Sequence, residues 1–390
     1  MKKRTEKKLG RMLALLLAAV MMMSVLAACG GSDDEDTSSA ADEETTASSE
    51  EDTESTEGSV MTTEEIITLA ASEGKVGNWG SGNEYEVLAL LAKYDLPTEF
   101  LSQDYTMDSF DDDTITLASA MTYNELGLTI NDYDGGYGYG DTVGYIDMND
   151  EGVGMLEDNI FCTREFAEEN PNTVAAFLYA SIKGWEYAVE NPEEAAEICY
   201  EYGSSVSQDH QYYMADEVVK LVTTDMDGET VSDIGYIDTD AMAQTLEIAQ
   251  TYVEIDDSEA AAVFAEMTVE DFCDSSYYET AISSDGTFEV EQSEVSIQLK
   301  WLPDAQFMGY YCALALGYYD EVGLTVEIVS GGGDIAETTA VNSGTVDFGV
   351  TWPTNMAVAN AGGMDLVEVA QIFQRSGLTL VYKYENFTNE

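Results

Sequence analysis

Trp301, Phe307, Tyr310, Tyr311 and Trp352 gather around the turns of one segment, residues 297–353, together with Gly331, Gly332, Gly333 and Asp334. Aromatic faces at such an edge suit a flat ring, which stacks on them. The glycines let backbone approach a ligand, and Asp334 can cap a helix or accept from an amino group. Trp301 and Trp352, the latter beside Thr351, stand at predicted strand ends and are the sharper candidates, whereas Tyr311, Tyr318 and Tyr319 read as core. Catalytic chemistry finds no comparable footing. With 77 Asp and Glu residues, close carboxylate pairs arise by chance and do not point to acid-base hydrolysis. The single histidine, His210, lies in no triad or zinc motif and is expected to be structural. Cys162, Cys199, Cys273 and Cys312 lack CxxC spacing and read as buried free thiols. No catalytic residue, metal ligand or cofactor is therefore assigned.

The elements that must position these side chains follow from hydropathy patterning. The spacing predicts a strand over 295–299, an aromatic turn, a helix opening near Ala305, a strand over 324–329, a glycine turn, a second helix and a strand over 346–350. In such a βαβαβ run the turns fall at the strand ends where open α/β sheets hold ligands. A second set precedes it. A strand over 75–79 meets Gly80-Ser81-Gly82-Asn83, which opens a helix with Val87, Leu88 and Leu91 on one face. Free backbone N–H groups at that start could hold a carboxylate, a ring oxygen or a water, and a plain tight turn serves equally well. The run AMTYNELG (120–127) follows, then a strand over 142–148, then GVGMLEDNIF (152–161). Asn170-Pro171 and Asn191-Pro192 start helices, and Gly203 ends the second.

Residues 1–28 have the basic start and short apolar run of a signal peptide. They end in Leu26-Ala27-Ala28-Cys29-Gly30, which resembles a bacterial lipobox with Cys29 as the lipidated residue. The apolar run is short for a transmembrane anchor. Residues 29–61 are acidic and nearly devoid of large apolar side chains, the composition of a disordered tether. Formal net charge is -63, and of the 14 Lys and Arg residues only Lys75, Lys93, Arg164, Lys183, Lys220, Lys300, Arg375 and Lys383 follow the signal segment. Nucleic-acid binding is excluded, because nothing here neutralises a phosphate backbone.

Both segment sets resemble the ABC-transporter substrate-binding proteins of the group that holds the nitrate, sulfonate and taurine binders and the thiamine-pyrimidine-precursor binders. The resemblance implies a two-lobed, periplasmic-binding-protein-like α/β fold of type II. In that group the part like QIFQRSGLTLVYK (371–383) precedes the part like KVGNWGSGNEYEVLALLAKY (75–94); here it follows, as in a circular permutant. The alternatives are a gene-assembly artefact and a fragment of a tandem array. Lobe 2 is then expected at 62–150 and lobe 1 at 151–390, comprising helices, a linker at 283–294 and the βαβαβ segment. The resemblance further implies ligand contacts from Asn83, Glu84, Tyr85, Tyr123, Asn124, Glu125 and Glu157, beside Trp301, Phe307, Tyr310, Gly332, Asp334, Thr351 and Trp352. It implies a monomer at the extracytoplasmic face of the membrane, held by its lipid, passing a small molecule to permease and ATPase subunits. Charge favours a neutral or weakly basic thiamine pyrimidine precursor over an anion, since only Lys300, Arg164 and Arg375 could neutralise one. A flavin-like ring and a sulfonate stay open. A synthase of the same fold is disfavoured, because only Cys162 stands where its cysteine-rich motif would lie and no histidine lies near the turns at 306–311 and 331–334.

Overall fold

The runs LASAM, LVEVAQ and LTLVYK are buried along their whole length and become strands covered on both faces, which calls for a largely apolar sequence. The structure, a computed structural model, describes residues 59–390 apart from Ser204, Asp334 and Glu390. The signal segment, Cys29, nearly all of the tether and Asp334 lie outside the described residues. Within them stand ten strands: β1 (Val76–Asn78), β2 (Leu101–Ser102), β3 (Leu117–Met121), β4 (Val143–Asp147), β5 (Asn159–Thr163), β6 (Glu294–Gln298), β7 (Thr325–Val329), β8 (Phe348–Gly349), β9 (Leu366–Gln371) and β10 (Leu378–Lys383).

They form two five-stranded sheets of matching plan, β2-β1-β3-β10-β4 in lobe 2 and β7-β6-β8-β5-β9 in lobe 1. In each, the first three strands are parallel and one strand arriving from the other lobe inserts antiparallel. Thus Leu380 pairs with both Ser119 and Ile146, and Phe161 pairs with Gly349 and Glu368. The chain therefore crosses twice, at 148–158 and 372–377. The second crossing departs from the sequence expectation, which kept 151–390 in lobe 1: β10 lies in lobe 2, where its backbone pairs with both β3 and β4. The crossings also bond to each other. Ile372 and Phe373 donate to the Asp158 carbonyl at 3.2 and 3.3 Å, and Asn149 Nδ2 donates to the Ser376 carbonyl at 2.9 Å.

The helices that hold this frame are α1 (Thr63–Glu73), α2 (Glu84–Lys93), α3 (Glu125–Ile130), α4 (Pro171–Glu190), α5 (Pro192–Tyr202), α6 (Gln208–Thr223), α7 (Met308–Leu316), α8 (Glu337–Asn342) and α9 (Pro353–Ala361), with further helices at Thr239–Tyr252 and Ser276–Ser283. Thr62 closes a capping box with Glu65 at the start of α1. Both Asn-Pro starts open helices as expected, but neither Asn170 nor Asn191 caps its helix with its side chain. At α4 Glu291, just before β6, takes that role instead, accepting from the Thr173 N–H at 2.9 Å and from Asn172 Nδ2 at 2.7 Å. The lobe 1 core centres on α4, whose Phe177 stacks on Phe348 with ring centroids 4.1 Å apart. Helices α4 and α7 touch through glycines: a Cβ on Gly309 would meet the Trp185 ring at 2.1 Å.

Candidate functional site

A cleft of about 360 Å³ lies between the lobes, within the size range of small-molecule sites. Its lining follows the carboxyl ends of β1, β3, β6, β7 and β8, contributing Trp79, Met121, Trp301, Gly332 and Trp352 respectively. Three of the chain's four tryptophans are thus drawn to one cavity. The turn after β1 passes through left-handed backbone at Gly80, Ser81 and Gly82 (φ 81°, 70° and 115°). Glycine is needed at Gly82 on two counts, since a Cβ there would also fall 2.5 Å from Asn355 Oδ1 of the opposite lobe.

At the mouth the lobes meet through aromatic and amide contacts. Tyr105 of lobe 2 packs on Trp301 of lobe 1 with centroids 5.0 Å apart, and Asn355 Nδ2 donates to the Ser81 carbonyl at 3.3 Å. Deeper in, the Trp352 indole N–H donates to Asp158 Oδ1 at 3.0 Å while Gln306 Nε2 donates to Oδ2 at 2.8 Å. These bonds set the indole's orientation. Burial raises the Asp158 carboxyl to about 6, and it lifts Asp304, whose side chain caps the turn before Gln306, to about 8.

The charge of the lining is unequal. Glu84, Glu125 and Glu337 bring three carboxyls, and Lys300 is the one Lys or Arg among the described lining residues. That ammonium is already engaged, 3.3 Å from Glu337 Oε1 and 4.3 Å from the centroid of the Trp352 ring. Thr351 Oγ1 donates to the same Glu337 oxygen at 2.5 Å. The two other candidate cations point elsewhere, Arg164 to Asp365 and Arg375 to Asp147. Glu125, only 5 % exposed, accepts from the Met121 N–H and from Asn124 Nδ2, both at 3.0 Å. Burial nonetheless raises its carboxyl to about 7, so near neutrality it can offer either a donor or an acceptor to a ligand. Aromatic walls with carboxyls between them can hold a flat ring that carries N–H groups. Among the described residues no His, Cys, Asp and Glu side chains converge as metal ligands would.

Of the residues singled out in the sequence, Trp301, Gly332, Trp352, Glu84, Tyr85, Tyr123, Asn124 and Glu125 are brought together in the lining. Five stand behind it. Phe307 and Tyr310 turn inward with the helical period, Tyr310 edge-on to Trp185 at 5.5 Å. Thr351 is fully buried under Glu337, and Asn83 braces the β1 turn by accepting from Asn78 Nδ2 at 3.3 Å. Glu157 sits in the first crossing and accepts from the Gly377 N–H of the second at 3.1 Å. Trp79, Tyr105, Gln306, Glu337 and Asn355 line the cleft without having been singled out. Trp79 was findable, because it follows a strand as Trp301 does; Tyr105 and Asn355 come from positions that only the facing lobes bring together.

No curated protein matches this chain. A family model described as NMT1/THI5 like matches residues 54–195 and 304–390, more than half of its length. That family suggests a substrate-binding protein of ABC transporters, and THI5 members can be synthases. The two crossings, the paired sheets and the cleft accord with that match, and the chain belongs to the NMT1/THI5 like family.

Proposed function

We propose that the protein is the substrate-binding component of an ABC importer, closing its two lobes on a thiamine pyrimidine precursor or a closely related aminated heterocycle and delivering it to a membrane permease. The observation that carries this reading is the cleft's charge: three carboxyls line it, and its one ammonium is committed to Glu337 and to the Trp352 face. A sulfonate or nitrate would enter without a free cation, whereas an aminopyrimidine can stack on Trp301 or Trp352 and bond to Glu125 through its amino group and ring nitrogen. Synthase chemistry that uses a histidine as substrate is disfavoured, because His210 is buried behind Asn124 with both ring nitrogens bonded.

The reading includes a lipid on Cys29, a monomer at the extracytoplasmic membrane face, and permease and ATPase partners. It also includes a circularly permuted chain order. Support for that order comes from the flanks of the folded body: the Met61 N–H donates to the Phe387 carbonyl at 2.9 Å, and Val60 pairs with Thr388. Those flanks would be consecutive in the unpermuted arrangement. The family match also breaks between 195 and 304, a stretch that contains the linker. Isothermal titration of the mature protein with 4-amino-5-hydroxymethyl-2-methylpyrimidine and, separately, with taurine tests the ligand class. Saturable heat with the pyrimidine alone is expected, and binding of taurine without the pyrimidine would overturn it.

A further inference from the structure

His210 is the chain's one histidine and its side chain is fully buried. It occupies the first turn of α6, where Ser207 Oγ accepts from its N–H at 3.3 Å. Helix α6 belongs to lobe 1: it packs along α5, and its Gln211 Oε1 accepts from the Ala305 N–H in the turn after β6 at 2.8 Å. The imidazole nevertheless reaches across to lobe 2. Its Nε2 lies 2.9 Å from Asn124 Oδ1 and its Nδ1 lies 2.5 Å from the Tyr133 hydroxyl.

Donor and acceptor roles in this contact follow from valence. Glu125 Oε1 takes the Asn124 Nδ2 donor at 3.0 Å, which leaves the acceptor Oδ1 facing the ring. Nε2 must then carry the proton, and Nδ1 accepts from Tyr133. The result is a one-way run of donors, Tyr133 to His210 to Asn124 to Glu125, that ends on a carboxyl lining the cleft. A second contact beside it joins a hydrogen bond to a tight steric fit. Tyr213, stacked near-parallel to His210 at 5.9 Å, donates to the Thr122 carbonyl at 2.8 Å, and a Cβ on Gly127 would fall 2.1 Å from its ring. No methyl group fits between the lobes there.

We propose that His210 is a positioning residue for ligand capture: as the lobes meet it clasps Asn124 and Tyr133, and through Asn124 it sets Glu125 at the cleft. The proposal rests on the reading of the cleft as the binding site. Burial alone lowers the imidazole to about 4, so the ring is neutral in the clasp. The titratable groups around it are Tyr133 across the interface, Tyr213 and Asp209 on its own helix, and Glu125 beyond Asn124.

A lone histidine makes a clean spectroscopic probe. In mature protein labelled with ¹⁵N-histidine, the two ring signals should report a neutral Nε2–H tautomer down to about pH 5, below the ordinary imidazole range near about 6.5. Gly127→Ala, which wedges the interface without touching the ring, should return His210 to ordinary titration. In pyrimidine titrations His210→Leu should weaken binding about tenfold or more, while His210→Gln, with one donor and one acceptor, should stay within about threefold of wild type. Ordinary titration of the wild-type histidine, or equal affinity of the Leu variant and the wild type, would overturn the proposal. If the wild type bound no pyrimidine, the ligand reading would fall, and the tautomer with its response to Gly127→Ala would decide the clasp.

Discussion

Trp352→Phe separates what the indole ring does from what its N–H does. The phenyl ring keeps a face toward Lys300 and the cleft, but the 3.0 Å bond to Asp158 is lost. Asp158 is buried and keeps only Gln306 as a side-chain donor. Leaving a buried acceptor short of a partner costs about 1–3 kcal/mol, and the smaller ring adds about 1 kcal/mol through the space it leaves. Only the first contribution depends on pH. Asp158 ionises near 6 in the folded protein, raised from 3.8, so the stability linked to its protonated form is present below 3.8 and lost as pH rises through about 6. Removing the indole donor raises that carboxyl further, and each additional unit corresponds to about 1.4 kcal/mol. Urea unfolding followed by far-ultraviolet circular dichroism at pH 5 and pH 8 should therefore show a larger loss at pH 8, by about 1 kcal/mol. An equal loss at both pH values would refute the role given to Asp158.

Two further predictions concern the fold. Gly309→Ala places a Cβ 2.1 Å from the Trp185 ring where α4 meets α7, and should cost about 1–3 kcal/mol in the same unfolding assay; a neutral outcome would mean that the contact yields freely. Glu368, raised by burial from 4.5 to about 8, and Glu86 and Glu157, raised by burial and, for Glu157, by the charge of Glu86, favour their protonated forms in the folded state. Stability from such groups is present below 4.5 and lost as pH rises toward 8, so the melting temperature should be higher at pH 5.5 than at pH 9, and the reverse order would contradict the burial of these carboxyls.

Much of this architecture was legible in the sequence for a physical reason. The runs at 75–79, 295–299 and 324–329 are short, mostly apolar stretches bounded by turn residues and read as strands, and the Asn-Pro pairs at 170 and 191 mark helix starts whatever the tertiary setting. Trp301 and Trp352 were legible as residues of the cleft lining because a strand end points its successor toward the sheet edge. Phe307 and Tyr310 were not separable from them by sequence, since the helical period that turns them inward depends on where the helix begins. The return of β10 to lobe 2 was hidden as well: an antiparallel insertion between β3 and β4 leaves no local mark. Neither did the reach of His210, whose partner Asn124 lies 86 positions earlier on the opposite lobe. Contacts between lobes come from the tertiary arrangement, and local pattern does not encode them.

The most direct test is a crystal structure of the mature protein with 4-amino-5-hydroxymethyl-2-methylpyrimidine bound. The ring should lie between the lobes, stacked on Trp301 or Trp352, with its amino group bonded to Glu125. A ring bound outside the cleft, or one inside it that meets Lys300 freed from Glu337 in place of Glu125, would contradict this account.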